Sequence, residues 1–379
     1  MQIYKLENIS DKKLALKQLG VESGGIAIMA KKMELMTFYI KNLRTPAANI
    51  LKQDALSIGA ELAVPGGVVT CEKEHYDCIL IGTRKHMEIL SRKEMAQPFG
   101  LKKLAEELKY FLSTKHYPLQ IMGVINANED SFYAGSRFQE SSAILRIEQM
   151  IEEGADIIDI GAVSSRPGAE TVNEAIELAR IKPICDAIAS QKLYEKAIFS
   201  IDSYSPSIIG YALEHGFSVI NDITGANNDA VIALAVQYNT KLCIMHMQGT
   251  PQTMQQNPHY EDVTAEVSNF FQERIAKCEA LGLKREQIML DVGIGFGKTL
   301  EHNLVLINNM RHFTSFGCEV LIGASRKSMI DKIIPTPTID RLPGTLAIHL
   351  KAVENGANIV RCHDIKEHMQ ALMVQKAFT

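Results

Sequence analysis

Three nine-residue stretches decide the fold: EGADIIDIG (153–161), HGFSVINDI (215–223) and NGANIVRCH (355–363). Each carries a glycine suited to close a helix, then two apolar residues three and four positions later. Strand side chains alternate between faces, so this shared register puts Asp159, Asn221 and Arg361 on one side of a sheet. Polar groups enclosed there need either one another as hydrogen-bond partners or a ligand.

Working outward, eight short apolar runs alternate with helical patterns from Leu119 to the end: 119–126, 156–162, 196–202, 218–224, 241–247, 288–294, 318–324 and 358–364. This is the mark of βα units on a parallel sheet. Eight units over this length predict an α/β fold that closes as a (β/α)8 barrel, a TIM barrel, which needs about 250 residues. The barrel is assigned to residues 116–379. Residues 1–115 read as an additional small α/β domain, with apolar segments at 24–30, 59–70 and 76–83 and an amphipathic helix at 101–113. No chemistry is evident in that part.

Composition narrows the function. Forty Lys+Arg against 44 Asp+Glu give a net charge of -4, so no general basic field draws the chain to nucleic acid or to a membrane surface. The N-terminus shows no secretory signal, and no apolar run approaches the roughly 20 residues of a membrane span. Seven scattered cysteines fit a reducing compartment, and the expectation is a cytoplasmic protein. Cys71, His75 and Cys78 lack the second ligand pair of a structural zinc site.

Barrel active sites lie at the C-terminal strand ends. Those ends carry Asn126; Ser164 to Arg166; Asp202; Asn221 and Asp222; His246; Asp291; Ser325 to Lys327; and Arg361, His363 and Asp364. Such convergence predicts a ligand-filled mouth. Arg361 and His363 share a face and suit phosphate oxygens, with an ion pair to a carboxylate as the alternative. Asp202, Asn221, Asp291 and Lys327 match a flat heterocycle bearing an amino group and a carbonyl, or else include a structural Lys–Asp pair. The segment Gly293 to Thr299 fails both the P-loop and the dinucleotide glycine spacing. It brings backbone or Phe296 close to a flat ligand, or else turns tightly into the next helix.

Taken together, the segments IMGVINANEDSF, GADIIDIGAVSSRPGA, SIDSYSP with INDITG, MHMQGTPQTMQQNPHY, LDVGIGFGKTLEHN, GASRKSMI, and PGTLA with ANIVRCHD make residues 118–379 closely resemble the dihydropteroate synthases. The resemblance implies a folate-biosynthesis transferase, the target of sulfonamides, that condenses 6-hydroxymethyl-7,8-dihydropterin pyrophosphate with p-aminobenzoate. By that likeness Asp202, Asn221, Asp291 and Lys327 hold the pterin. Asn126, Arg361 and His363 take the pyrophosphate, with Mg²⁺ on it beside Asn126. Ser165, Arg166, Pro167 and Ser325 line the p-aminobenzoate site with Phe296 and Lys327. Asp202, Asp291, Lys327 and Asn126 form the catalytic group, and a homodimer is the family's habit.

The first loop departs from the family pattern. It reads Asn126-Ala127-Asn128-Glu129-Asp130-Ser131-Phe132-Tyr133-Ala134-Gly135-Ser136, with Ala134 at a usually acidic position and Asp130 or Glu129 left to supply the carboxylate. Ala162-Val163 and Val292 also replace the common Gly-Glu and proline. Competing readings are a pterin-dependent methyltransferase subunit and a non-catalytic pterin-binding protein.

Overall fold

The computed structural model describes residues 1–4, 6, 9, 11–113, 115–127, 136–163 and 173–378, with backbone alone for 136–141. Residues 1–114 with 378–379 form one compact unit, and residues 115–377 form a second. In the first, strands β1 (Leu35–Arg44), β2 (Glu61–Ala63) and β3 (His75–Thr83) make an antiparallel sheet in the order β1-β3-β2. Tyr76, Cys78 and Leu80 of β3 are buried in alternation, as in a sheet covered on one face. Leu51, Met87, Leu90, Leu101 and Leu108 fill the core beneath it.

One reading of this unit changes, and one strand has no reading. The apolar segment 24–30 lies inside the helix Ser23–Lys32 rather than between helices, because its Ala, Ile and Met residues continue the helical run of backbone bonds that begins at Glu22. The strand β1 has only a weak apolar signal: Met36, Phe38 and Ile40 pack on the core while their neighbours are mostly exposed.

The eight runs of the second unit become parallel strands: β4 (Gln120–Asn126), β5 (Ile157–Gly161), β6 (Ile198–Asp202), β7 (Val219–Asp222), β8 (Lys241–Met245), β9 (Ile288–Asp291), β10 (Glu319–Ile322) and β11 (Ile359–Cys362). They close into a barrel in the order β10-β11-β4-β5-β6-β7-β8-β9. The glycines of the repeat, Gly154, Gly216 and Gly356, all have left-handed backbone, with φ of 97°, 93° and 110°. Each follows a helix that ends at Glu152, Glu214 or Glu354, so the repeat is a helix stop followed by a strand start.

Inside the barrel, Met122, Ile157, Val219, Cys243, Met289, Leu321 and Ile359 form an apolar plug. The larger core lies between the strands and the surrounding helices. Register sets Glu319 beside Met289 and Lys241 beside Val219. There Lys241 Nζ meets Glu319 Oε2 at 2.5 Å, and Glu319 is 2% exposed. Removing one partner of such a pair strands a buried charge. Lys241→Met should lower the unfolding free energy of the barrel by about 3 kcal/mol in a urea titration, and adding Glu319→Leu should recover most of that loss.

Candidate active site

One hydrogen-bonded row of residues crosses the top of the plug. Strand register places Asn126 beside Gly161, Gly161 beside Asp202, and Asp202 beside Asn221, so all four face inward together. A Cβ at Gly161 would stand 3.0 Å from that of Asp202, and the bare glycine leaves room between Asn126 and the carboxylate.

Just below lies Asp159, fully buried. Ser200 Oγ donates to its Oδ1 at 2.6 Å, Asn221 Nδ2 to its Oδ2 at 3.0 Å, and Arg361 Nε to Oδ2 at 2.7 Å. The three polar residues of the repeat therefore bond to one another. Arg361 also reaches upward, Nη2 donating to Asp202 Oδ2 at 2.9 Å. The ion pair weighed as an alternative for Arg361 is present: its guanidinium is clamped between two carboxylates, the counter-charge that a largely enclosed cation requires. Burial, then repulsion from Asp159, pushes the Asp202 carboxyl up to about 7 against the pull of Arg361.

On the opposite wall Asp291 ends β9 and accepts the Gly293 N–H at 2.8 Å. Burial raises its pKa, opposed by the charge of Lys327 and by that N–H. Lys327 donates to the carbonyl of Ile294, and its ammonium sits 4.4 Å from the centre of the Phe296 ring. Burial pulls Lys327 down to about 8, with Asp291 opposing. Ser325 Oγ lies 2.8 Å from His363 Nδ1. Arg326 forks onto Asp364, Nη2 at 2.6 Å and Nε at 3.0 Å, away from the barrel interior.

The segment after β9 is a tight loop, with Gly293, Gly295 and Gly297 all at positive φ. At Gly293 (φ 68°) a Cβ would fall 1.9 Å from the His246 carbonyl oxygen, a clash that no movement of a side chain relieves. Sequence reasoning missed what anchors this loop. Lys298 is 1% exposed, and its Nζ lies 2.9 Å from His246 Nδ1, 3.0 Å from the Phe296 carbonyl and 3.3 Å from the His246 carbonyl. Three acceptors match the three ammonium protons. Burial and then Lys298 hold His246 down at about 3, so its ring is neutral. Burial likewise pulls Lys298 down to about 7, against Asp291. Ser200 was also missed, although its i,i+2 spacing from Asp202 places it on the same face.

A cavity of about 470 Å³ opens beside these groups, lined among others by Tyr204, Ile223, Met245, Met247, Phe270 and Arg274. Met245 is paired in register with Asp291, so the cavity reaches the strand next to that carboxylate. Asp130, Ser165, Arg166 and Pro167 lie outside the described residues.

A family model described as "Pterin binding enzyme" matches residues 122–363, the span of the eight strands. The chain belongs to the pterin-binding enzymes. Within that family it is a dihydropteroate synthase, a transferase of folate biosynthesis. The synthase is 42% identical over 376 residues to a bifunctional dihydropteroate synthase/dihydropteroate reductase of Helicobacter pylori, covering 99% of this chain and 98% of that protein. It is 40% identical over 258 residues to the dihydropteroate synthase of Escherichia coli, covering 68% and 90% of the two chains. The Yersinia pestis dihydropteroate synthase, solved with a sulfonamide drug complex, aligns with a TM-score of 0.65 and 35% identity over 69% of this chain and 94% of that one. None of these three is named a methyltransferase subunit or a non-catalytic binding protein.

The buried lysine of the synthase gives a signed pH dependence. Its folded pKa lies below the unfolded value near 10.4, so between about 7 and 10 the unfolded chain binds the extra proton and stability rises with pH. Chemical denaturation of the parent and of Lys298→Met across pH 7 to 10 should show a steeper rise in the parent, by up to about 1.4 kcal/mol per pH unit more, while Lys327, held down at about 8, keeps a smaller rise in the variant.

Proposed function

We propose that the polar row divides the condensation between two groups of side chains. Asp202, Asn221, Asp291 and Lys327 grip the dihydropterin; Arg361, His363 and Asn126 receive the pyrophosphate; Ser325, Phe296 and Lys327, with Ser165, Arg166 and Pro167, enclose p-aminobenzoate; Asp130 or Glu129 supplies the carboxylate of the first loop. The observation that carries the reading is the contact of Arg361 with Asp202, which joins the proposed anion side to the proposed heterocycle side at 2.9 Å.

In the reaction the C–O bond at the pterin methylene breaks and its electron pair leaves with pyrophosphate. The arylamine lone pair forms the new C–N bond, and the nitrogen then loses a proton. Positive charge develops on the pterin as the bond breaks, so carboxylates fixed beneath the ring stabilise the transition state without reorganising. The Nε and Nη2 edges of Arg361 serve Asp159 and Asp202, which leaves Nη1 to meet a pyrophosphate oxygen. An uncharged arylamine needs no dedicated base to become a nucleophile, and none is assigned.

Mg²⁺ fits as a cation carried by the substrate. Among the described residues no group of three or more His, Cys, Asp or Glu side chains is placed to hold a metal ion, and Asn126 offers a single amide oxygen. Mg²⁺ commonly binds through substrate phosphates and water with one or two protein oxygens. When bound it would neutralise charge on the leaving group.

We also propose a homodimer through the barrel helices and a cytoplasmic setting. Seven free cysteines support the latter, and no described helix is long and apolar enough to cross a membrane.

Two measurements test these roles. Pyrophosphate release should require both substrates. It should rise with pH through about 7 as Asp202 ionises, and Asp202→Asn should lower kcat/KM by about 100-fold and flatten the profile. Parental kcat/KM in that variant would overturn the assignment.

The end-to-end match to a bifunctional relative supports a second activity, reduction of dihydropteroate. A hydride from a reduced nicotinamide, directly or through a flavin, and a proton from water would add across the ring C=N bond to give tetrahydropteroate. The full-length chain should oxidise the nicotinamide in step with dihydropteroate consumed. A chain active as a synthase that forms no tetrahydropteroate with these donors would remove the proposal.

A further inference from the structure

Two buried imidazoles lie outside the machinery just assigned. His349 on the helix Leu342–Glu354 and His368 on the helix Ile365–Ala377 are each 1% exposed. His349 Nδ1 stands 2.8 Å from His368 Nε2. At the far side of the first ring, the Ala324 N–H donates to His349 Nε2 at 3.0 Å. At the far side of the second, His368 Nδ1 lies 2.6 Å from the Asp364 carbonyl oxygen.

These contacts admit one arrangement of protons. A backbone N–H can only donate, so His349 Nε2 carries no hydrogen and its proton is on Nδ1. That proton points at His368 Nε2, which must accept, so the second ring holds its proton on Nδ1 and gives it to the Asp364 carbonyl. All four ring nitrogens are satisfied with both imidazoles neutral. A further proton on either ring would set two N–H groups face to face.

The ends of this chain are the two loops that carry the proposed chemistry. Ala324 leads directly into Ser325, Arg326 and Lys327, and Asp364 directly follows His363. Above the relay the same loops are joined by Ser325 to His363 and by Arg326 to Asp364. We propose that the His349–His368 pair is a positioning device that holds the Ser325–Lys327 loop in register with His363, so that the arylamine and the pyrophosphate sides of the site keep a fixed spacing. The proposal rests on the residue roles given above. Neither imidazole is a catalytic residue, since each acts through backbone atoms of the neighbouring loops.

The test uses the full-length chain. Imidazole ¹⁵N shifts of the parent protein should report both rings as neutral Nδ1–H tautomers, and an Nε2–H tautomer at either ring would overturn the relay. His349→Phe keeps a ring but removes both bonds, of which only the one to Ala324 touches the Ser325–Lys327 loop; it should raise KM for p-aminobenzoate about fivefold, with a smaller change in kcat, as expected for that one neutral hydrogen bond. His349→Gln, able to accept from Ala324 and donate to His368, should restore KM to within about twofold. Equal KM in parent, Phe and Gln variants overturns the positioning role. If His349→Phe does not fold, His368→Phe takes its place. Ser325→Ala tests the arylamine assignment separately: a raised KM there beside an unchanged one in His349→Phe rejects the relay alone, whereas no change in either rejects the arylamine reading as well.

Discussion

The site is organised around one carboxylate. Asp159 is fully enclosed, and its oxygens take hydrogen bonds from β6, β7 and β11 through Ser200, Asn221 and Arg361. Without these donors a buried anion would be costly, and without the anion Arg361 would lose one of the two carboxylates it bonds. Each charge thus explains the other, and the network polarises as a unit. It also fixes the orientation of Arg361, whose other edge reaches Asp202.

The opposite wall is built differently. There the backbone does the shaping: three positive-φ glycines fold the loop after β9, and the Lys298 side chain ties its Phe296 carbonyl to the end of β8 at His246. Phe296 is held where its ring faces the Lys327 ammonium. One wall is therefore fixed by side-chain charge, the other by a lysine that ties two backbone carbonyls and one imidazole.

Much of this was legible in the sequence. Period and glycine placement were enough for the eight strands, because buried parallel strands are short aliphatic runs and each helix before the repeated runs must stop. Register alone put Asp159, Asn221 and Arg361 together. What it left open was whether they faced a ligand or each other, since face does not specify partner, and Arg361 turned out to be engaged by carboxylates from two other strands. The Lys298 tether was illegible because it depends on a close approach between β8 and the β9 loop, a contact across strands that no spacing encodes. The helix Ser23–Lys32 shows the complementary limit: a short apolar run cannot announce its period.

The plug of seven apolar side chains under the polar row has a further consequence. It seals the lower end of the barrel, so traffic passes only over the upper rim. Whatever enters deepest is trapped behind whatever enters after it. On the proposed roles, a heterocycle seated against Asp202 and Asp291 would be covered by the second reactant, and the joined product would depart only once the rim had cleared. Order of entry and exit is, on this geometry, a property of a blind-ended vessel rather than of any single residue.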